Sequence, residues 1–317
     1  MRIVFLDRRS IGEDVDVNIF SRYGDLALYD FTSPDEVRER IAGADIVITN
    51  KARLNERTLS GSGVRLICVT ATGTDNVDIP YCSAEGIAVC NVKGYSTESV
   101  VQITFTLLFT LWSRVLEYSE YTSSGQYIAD SRYGHFRITF NEMSGKNFGI
   151  IGLGTIGTRV AEVAKSLGFN VFYWSSTDID RNSAYQRLGL DELLGTCDVI
   201  SIHSPLNERT RHLLGMDEFR KMKRTALLLN VGRGLIIREE DLAAAVENRL
   251  IGGAGLDVLA EEPMSPSSPF IRLLGRPDFF LTPHVAWAAV EARNRCMSEI
   301  CLNIEAWLND AKRNRVD

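Results

Sequence analysis

The stretch FGIIGLGTIG, residues 148–157, decides the fold of this chain. An apolar run leads into Gly152, Gly154 and Gly157, and a helical pattern follows at residues 156–167. A G-x-G-x-x-G motif between a strand and a helix is typical of dinucleotide-binding domains. There the first glycine permits a tight turn, the second lets the backbone approach a pyrophosphate, and the third lets the helix pack close to the strand. We therefore predict a dinucleotide-binding domain, in which N–H groups at the start of the helix bind the phosphates.

Short apolar runs alternate with helical patterns on both sides of this loop. Before the loop, the patterns predict strands at residues 2–7, 45–49, 66–69 and 88–90, and helices at 34–41 and 96–113. From the loop onward they predict strands at residues 148–151, 170–174, 199–202, 226–230, 253–256 and 279–281, and helices at 216–221, 239–247 and 288–309. Such alternation predicts parallel sheets with helices on both faces. The fold class is therefore α/β with two doubly wound domains, the second centred on residues 146–283.

Length, charge and composition argue against a nucleic-acid-binding, a membrane-spanning or a secreted protein. A chain of 317 residues is long enough for two domains, and a net charge of -6 argues against a nucleic-acid surface, which needs a basic face. No uncharged apolar run reaches the roughly 18 residues of a membrane span, and the opening MRIVFLDRRS lacks the apolar core of a signal peptide. The six cysteines form no C-x-x-C pair, so no metal site is expected. We expect a cytoplasmic protein with reduced thiols.

The residues that follow the second strand of this domain bear on whether the dinucleotide is NAD or NADP. An acidic residue about 20 positions beyond the loop ordinarily binds the adenosine ribose; here it is missing, because hydroxyl residues follow VFYW at 175–177. Ser175 is a candidate contact, and a hydroxyl group is compatible with a ribose 2′-OH or with a 2′-phosphate. Arg181 is near in sequence, whereas Asp178 and Asp180 would repel a phosphate. We predict NAD as the cofactor and keep NADP as the alternative.

Six motifs in one order carry a family resemblance. They are TGTDNVD (72–78), GLGTIG (152–157), IHSPLNERT (202–210), NVGRG (230–234), GLDVLAEEP (255–263) and TPHVAW (282–287). Over nearly its whole length the sequence resembles the D-isomer-specific 2-hydroxyacid dehydrogenases. The segments CNVKGYSTESVVQ (90–102) and PHVAW are similar to the glycerate dehydrogenase/hydroxypyruvate reductase branch.

The resemblance implies an architecture and an activity. A Rossmann cofactor domain at residues 98–287 would be inserted into a flavodoxin-like substrate domain at residues 1–97 and 288–317, and closure about two hinges would exclude water from the active-site cleft. Hydride from NAD(P)H would reduce a small 2-oxo acid, such as hydroxypyruvate or glyoxylate, to the D-2-hydroxy acid. The family is typically homodimeric, so the polar, aromatic segment 117–144 would cover a partner subunit; an irregular surface excursion is the alternative.

Three residues are the predicted catalytic group. Hydride reduction needs a held carboxylate, a polarised carbonyl and a proton donor. His284, at a strand end, can give and recover a proton near neutral pH, and Glu262 would orient it and stabilise its protonated form. Arg233 lies between two glycines, and its planar fork can hold carboxylate and carbonyl oxygens together. Each residue also has a simpler interpretation. His284 would be a structural histidine, Glu262 a solvated loop carboxylate and Arg233 an arginine in a surface turn.

By the same resemblance, N–H groups of Thr72 and Gly73 would bind the substrate carboxylate. Lys51 would add a cation there, unless it is only a solvated lysine at a strand end. The predicted cofactor contacts are Thr155 and Ile156 with the three glycines at the pyrophosphate, His203, Pro205 and Thr210 around the adenosine, and Thr97, Val231 and Asp257 near the nicotinamide.

Two rival interpretations stay open. One is a different enzyme of the family, such as a D-lactate or phosphoglycerate-type dehydrogenase, because pocket shape decides the substrate; Trp287 and Tyr95 are candidates for that pocket. The other is a non-catalytic NAD(H)-sensing protein similar to the family's transcriptional corepressors. Turnover separates an enzyme from a sensor.

Overall fold

The computed structural model describes residues 1–177 and 184–317. Asp178, Asp180 and Arg181, on which part of the cofactor prediction rests, therefore lie outside the described residues. The chain divides into two compact units, one formed by Met1–Ser96 with Trp287–Asp317 and the other by Thr97–Ala286. Each unit is described by itself.

The first unit contains a five-stranded parallel sheet of order β2-β1-β3-β4-β5. Its strands are β1 (Arg2–Phe5), β2 (Asp25–Leu28), β3 (Ile46–Thr49), β4 (Leu66–Val69) and β5 (Ala88–Cys90). The central strands IVIT and LICV are buried throughout, as is expected of a parallel sheet covered on both faces. This order is that of a flavodoxin-like sheet, and it confirms the predicted fold class for this unit.

Helices cover both faces of that sheet. They are α1 (Val37–Ile41), α2 (Glu56–Leu59), α3 (Ile79–Ala84) and, at the end of the chain, the helix Val290–Leu308. Alternate strand residues face opposite ways: Ile3 and Phe5 pack with the terminal helix, whereas Val4 and Leu6 pack with α1.

The second unit contains a seven-stranded parallel sheet of order β12-β11-β10-β9-β6-β7-β8. Its strands are β6 (Asn147–Ile151), β7 (Asn170–Trp174), β8 (Gln186–Arg187), β9 (Val199–Ile202), β10 (Leu227–Asn230), β11 (Gly253–Leu256) and β12 (Phe279–Leu281). The chain leaves β6 to one side for β7 and returns on the other side with β9, so the strand order reverses at β6. Ligands of doubly wound sheets bind at such a reversal, beyond the carboxyl ends of the strands.

Seven helices accompany this sheet within the described residues. They are α4 (Thr97–Trp112), α5 (Val115–Ser123), α6 (Gln126–Asp130), α7 (Thr155–Ser166), α8 (Leu190–Thr196), α9 (Met216–Lys221) and α10 (Glu239–Glu247); the terminal helix Val290–Leu308 is accordingly α11. Helix α4 packs on α7, β10 and β11 with six apolar side chains buried, whereas Phe109 is 40% exposed. In the described residues, no single helix is both long enough and apolar enough to cross a membrane. Helices α4 and α5 meet both criteria only when they are taken together, and the pair is bent by 59°.

The segment predicted to cover a partner is helical only in part. After α5 and α6 the chain has no regular structure up to Ser144. Ile128, Tyr133 and Phe136 are almost fully exposed, whereas the ring of His135 stacks on that of Tyr121 with centroids 3.8 Å apart. The segment is therefore locally ordered around one aromatic stack and presents other apolar side chains to solvent.

Candidate active site

The carboxylate of Asp257 organises the loop that follows β12. This residue comes directly after the end of β11 and is buried. Its Oδ1 accepts hydrogen bonds from the Thr282 hydroxyl at 2.5 Å and the Val285 N–H at 2.9 Å, and its Oδ2 accepts one from the Ala286 N–H at 2.8 Å. Burial raises the pKa of Asp257, although these hydrogen bonds oppose the shift. Three bonds to one carboxylate fix the loop on both sides of His284.

His284 lies at the centre of this loop in an uncommon backbone conformation. Its φ is 55°, in the left-handed region that residues other than glycine seldom adopt. Its Nδ1 lies 2.6 Å from Oε2 of Glu262, and the side chains of both residues are 29% exposed. The other oxygen of Glu262 accepts the Leu259 N–H at 3.0 Å. The two predicted residues therefore form a directed pair, with the carboxylate oriented by its own backbone.

A second carboxylate anchors the loop that carries Glu262. Oε1 of Glu239, the first residue of α10, accepts the Ala260 N–H at 2.7 Å. Burial raises the pKa of Glu239, and the charges of Glu261 and Glu262 add to the shift. Sequence reasoning missed this residue, because the pattern marked it only as a first-turn acid of a helix.

The turn that carries Arg233 is in backbone contact with the same loop. After β10, the Asn230 side chain accepts the Gly232 N–H and donates to the Arg233 carbonyl, both at 3.0 Å. A Cβ on Gly234 would lie 2.0 Å from the carbonyl carbon of Leu259, so only glycine permits this approach. The structure thereby brings the Arg233 turn against the Glu262 loop, within one unit.

The glycine loop has the shape that a dinucleotide pyrophosphate needs. Gly152 has a φ of 97°, and a Cβ there would lie 2.6 Å from the Ser204 nitrogen; a Cβ on Gly157 would lie 2.2 Å from the Gly152 carbonyl oxygen. A Cβ on Gly154 would instead meet open space. Because Gly154 is the N-cap of α7 and has no side chain, no Cβ obstructs the approach of a phosphate to the first-turn N–H groups of Thr155 and Ile156.

The loop after β9 adds buried polar atoms beside the glycine loop. Nε2 of His203 lies 2.8 Å from the Ser201 hydroxyl. Nδ1 of His203 and the Ser204 hydroxyl are buried and have no hydrogen-bond partner among the described residues. Burial lowers the pKa of His203 to about 3, so the ring is neutral near pH 7 and is not a proton donor there. Unpartnered buried polar atoms at this edge of the sheet fit a bound dinucleotide.

The other predicted cofactor residues occupy defined places in the second unit. The Thr210 hydroxyl donates to the Pro205 carbonyl at 2.7 Å and accepts the Asn207 N–H at 2.8 Å, and so it holds the turn after β9 together. Val231 directly follows β10, and Thr97 is the first residue of α4. Ser175, just after β7, lies 3.0 Å from the Thr177 hydroxyl.

Residues predicted to bind substrate lie at the carboxyl edge of the sheet in the first unit. Lys51 follows β3, and Thr72 and Gly73 follow the neighbouring strand β4. The Thr72 hydroxyl donates to the Val92 carbonyl at 2.8 Å, which orients this turn. The buried carboxylate of Asp7 accepts the Lys51 N–H at 2.6 Å. Sequence reasoning missed Asp7, although an acid at the end of the apolar run of β1 is a usable signal.

Comparison with known proteins decides the family. A family model described as "D-isomer specific 2-hydroxyacid dehydrogenase, NAD binding domain" matches residues 105–286. The chain belongs to this dehydrogenase family. A glycerate dehydrogenase from Methylorubrum extorquens is 33% identical over 100% of this chain and 99% of its own. A hydroxypyruvate reductase from Blautia hydrogenotrophica is 34% identical over 100% of both. A solved acyclic imino acid reductase, in complex with NADPH and D-Arg, shares 27% identity and a TM-score of 0.88 over 100% of both chains.

Membership of the D-isomer specific 2-hydroxyacid dehydrogenase family confirms the resemblance drawn from the six motifs. The protein is an NAD(P)-dependent oxidoreductase, and its second unit carries the family's NAD-binding domain. The roles of single residues remain predictions. The arrangement pairs a histidine with a carboxylate and places an arginine on an adjoining turn, and these residue types suit reduction of a carbonyl group.

Proposed function

We propose that the protein reduces a small 2-oxo acid, of the hydroxypyruvate or glyoxylate kind, to the D-2-hydroxy acid with NAD(P)H. The 2.6 Å pair of His284 with Glu262, on a loop fixed by Asp257, is the observation that carries the proposal. Support comes from relatives of nearly equal length that are named glycerate dehydrogenase and hydroxypyruvate reductase. No metal enters the proposal, and in the described residues no group of metal-ligating side chains is assembled.

The chemistry divides among three side chains. The Arg233 guanidinium holds the substrate carboxylate and polarises the carbonyl oxygen, so that negative charge developing on that oxygen is stabilised. NAD(P)H, held by the glycine loop at Gly152, Gly154 and Gly157, would supply the hydride. His284 gives a proton to the oxygen, which completes the alcohol, and Glu262 stabilises the imidazolium before that transfer. Because Nδ1 of His284 faces Glu262, Nε2 is the nitrogen that exchanges the proton.

We assign substrate binding to residues 1–97 and 288–317 and dinucleotide binding to residues 98–287. In the first of these, the N–H groups of Thr72 and Gly73 bind the substrate carboxylate, and the Lys51 ammonium adds positive charge at the same edge of the sheet. Asp7 supports this role by holding the backbone of Lys51 in place.

Asp257 has two roles in the proposal. Its described contacts hold the His284 loop, and its place after β11 leaves it near the nicotinamide end of the dinucleotide site.

We further propose that the protein is a cytoplasmic homodimer. The large apolar side chains exposed on segment 117–144 support a second copy as the occupant of that surface, because exposed apolar surface of this kind often marks an interface.

Turnover by the purified protein tests the proposed activity. Oxidation of NADPH and of NADH is followed with hydroxypyruvate, glyoxylate, pyruvate and phenylpyruvate, and the configuration of each product is determined. We expect hydroxypyruvate or glyoxylate to give the highest kcat/KM and a D product. Preference for pyruvate would favour a D-lactate dehydrogenase instead. Tight nucleotide binding without turnover of any acid would favour the NAD(H)-sensing alternative and contradict the proposal.

A further inference from the structure

The end of β7 carries hydroxyl groups where a carboxylate is common. In dinucleotide-binding domains, an acid at this place accepts hydrogen bonds from the adenosine ribose and repels a 2′-phosphate. Here Trp174, the last residue of the strand, is followed by Ser175, Ser176 and Thr177. The hydroxyls of Ser175 and Thr177 lie 3.0 Å apart. Among the residues that the structure describes, the end of β7 therefore offers hydroxyl donors in place of a carboxylate.

Two arginines from different elements are held on the backbone of this segment. Arg187, in the neighbouring strand β8, donates to the Thr177 carbonyl at 2.8 Å and to the Ser175 carbonyl at 3.4 Å. Arg209, from the turn after β9, donates to the Ser176 carbonyl at 2.8 Å. The serine–arginine cluster, defined as residues 175–177 with Arg187 and Arg209, thus combines hydroxyl donors with two guanidinium groups.

The sheet order places this cluster beside the glycine loop. Strands β7 and β9 are the two neighbours of β6, and the glycine loop follows β6. Arg209, in the turn after β9, donates a hydrogen bond to the Ser176 carbonyl in the segment after β7, so the segments that follow the two neighbours of β6 are in contact. A dinucleotide whose pyrophosphate lies on the glycine loop has its adenosine ribose on this side, at the end of β7.

We infer that the serine–arginine cluster binds the 2′-phosphate of NADP(H), and that the protein binds NADPH more tightly than NADH. The inference rests on the proposed function, since it assumes dinucleotide binding at the glycine loop. A guanidinium fork and neighbouring hydroxyls are the groups that proteins use for phosphate monoesters. The sequence prediction of NAD rested on Asp178 and Asp180, which lie outside the described residues, whereas the described groups favour the phosphate.

Equilibrium binding tests the inference without turnover. Affinities for NADPH and NADH are measured by nucleotide fluorescence, and those for adenosine 2′,5′-bisphosphate and adenosine 5′-monophosphate by calorimetry. We expect each 2′-phosphorylated ligand to bind at least about tenfold more tightly than its counterpart, the usual effect of hydrogen bonds to a charged group. We also expect the difference to shrink as salt is added, because salt screens exposed charges.

Variants assign the effect to the cluster. Arg209→Ala should weaken NADPH binding by about tenfold, the loss expected for a charge-assisted hydrogen bond, and leave NADH binding unchanged. Arg211→Ala is the matched control, because Arg211 is an exposed arginine two residues further along the same segment; it should change neither affinity. Ser175→Asp should reverse the preference, because it restores the carboxylate that repels a 2′-phosphate.

Tighter binding of NADH than of NADPH would overturn the inference and leave the proposed function intact. An NADPH preference that Arg209→Ala and Ser175→Asp both leave unchanged would overturn the role of the cluster. Failure of both nucleotides to bind would instead contradict the proposed function, and the inference would fall with it.

Discussion

At the scale of single residues, His284 depends on groups far from it in sequence. Its loop is held by Asp257, and its Nδ1 lies against Glu262, which is 22 residues away along the chain. A left-handed backbone at a residue other than glycine costs free energy, which the surrounding contacts must offset. The three hydrogen bonds to Asp257 supply such contacts, so the orientation of the imidazole is built into the second unit.

Replacing Glu262 tests its effect on the proton donor. Glu262→Gln keeps an oxygen for the Leu259 N–H but removes the charge that stabilises the imidazolium. Without that carboxylate the proton donor loses its charged partner, so the alkaline limb of the reductive pH profile should move to lower pH. The measurement is kcat/KM for hydroxypyruvate against pH; Glu261→Gln is the control, since Glu261 is an exposed neighbour. An unmoved profile in Glu262→Gln would count against the pair.

At this scale the sequence identifies the site residues but not the groups to which they are hydrogen-bonded. The motifs name His284, Glu262 and Arg233, because each stands in a short pattern. They predict Asp257 only as a nicotinamide contact, since its partners are backbone N–H groups 28 and 29 residues away, which leave no pattern in the sequence. Glu239 escaped notice for the same reason, because its partner is the Ala260 N–H, 21 residues away.

At the scale of elements, strand prediction succeeded where burial is complete. Among the described residues, eight of the twelve strands have every residue buried or all but one, and the runs IVIT, LICV and LLLN are buried throughout. The edge strands β2 and β8 were missed, because DLAL and QR are short and partly exposed, which weakens the apolar signal. Helix α1 begins at Val37, three residues later than predicted, because a turn closed by bonds between Ser33 and Glu36 comes first.

Close packing of the Arg233 turn on the Glu262 loop gives a prediction at this scale. Gly234→Ala places a Cβ against the Leu259 carbonyl, so the two backbones must separate. We expect a loss of about 1–3 kcal/mol in the free energy of unfolding, as for other overpacked sites, and a fall in kcat. Gly189→Ala is the control, because its Cβ would meet nothing and its φ is -63°.

Urea unfolding and steady-state kinetics measure both effects. If Gly234→Ala has the same free energy of unfolding as Gly189→Ala and keeps its kcat, the close approach of the two loops contributes neither to stability nor to catalysis.

At the scale of the whole molecule, the sequence predicted two α/β units, and the family and fold comparisons confirm that class. The sequence could not predict what covers segment 117–144, because the apolar residues there follow neither a helical nor a strand periodicity. The dimer remains a proposal that rests on those side chains.

Substituting the exposed apolar side chains tests the dimer. Ile128→Asp combined with Phe136→Asp places two charges where a second copy would bury apolar surface, so we expect the wild-type dimer to become a monomer. Phe31→Asp, at an exposed phenylalanine of the first unit, is the control and should stay dimeric. Light scattering coupled to size-exclusion chromatography gives the mass. A wild type that is monomeric, or a double variant that stays dimeric, would contradict this interface.

The central claim is that His284 delivers the proton in reduction of a 2-oxo acid, and His284→Asn tests it most directly. Asparagine tolerates the left-handed backbone found at this position, so the loop should keep its shape. We measure kcat/KM for hydroxypyruvate and glyoxylate, and nucleotide affinity on the same samples. Loss of a general acid predicts a fall in kcat/KM of about 100-fold to 10,000-fold with nucleotide affinity unchanged. Turnover close to that of the wild type would contradict the account.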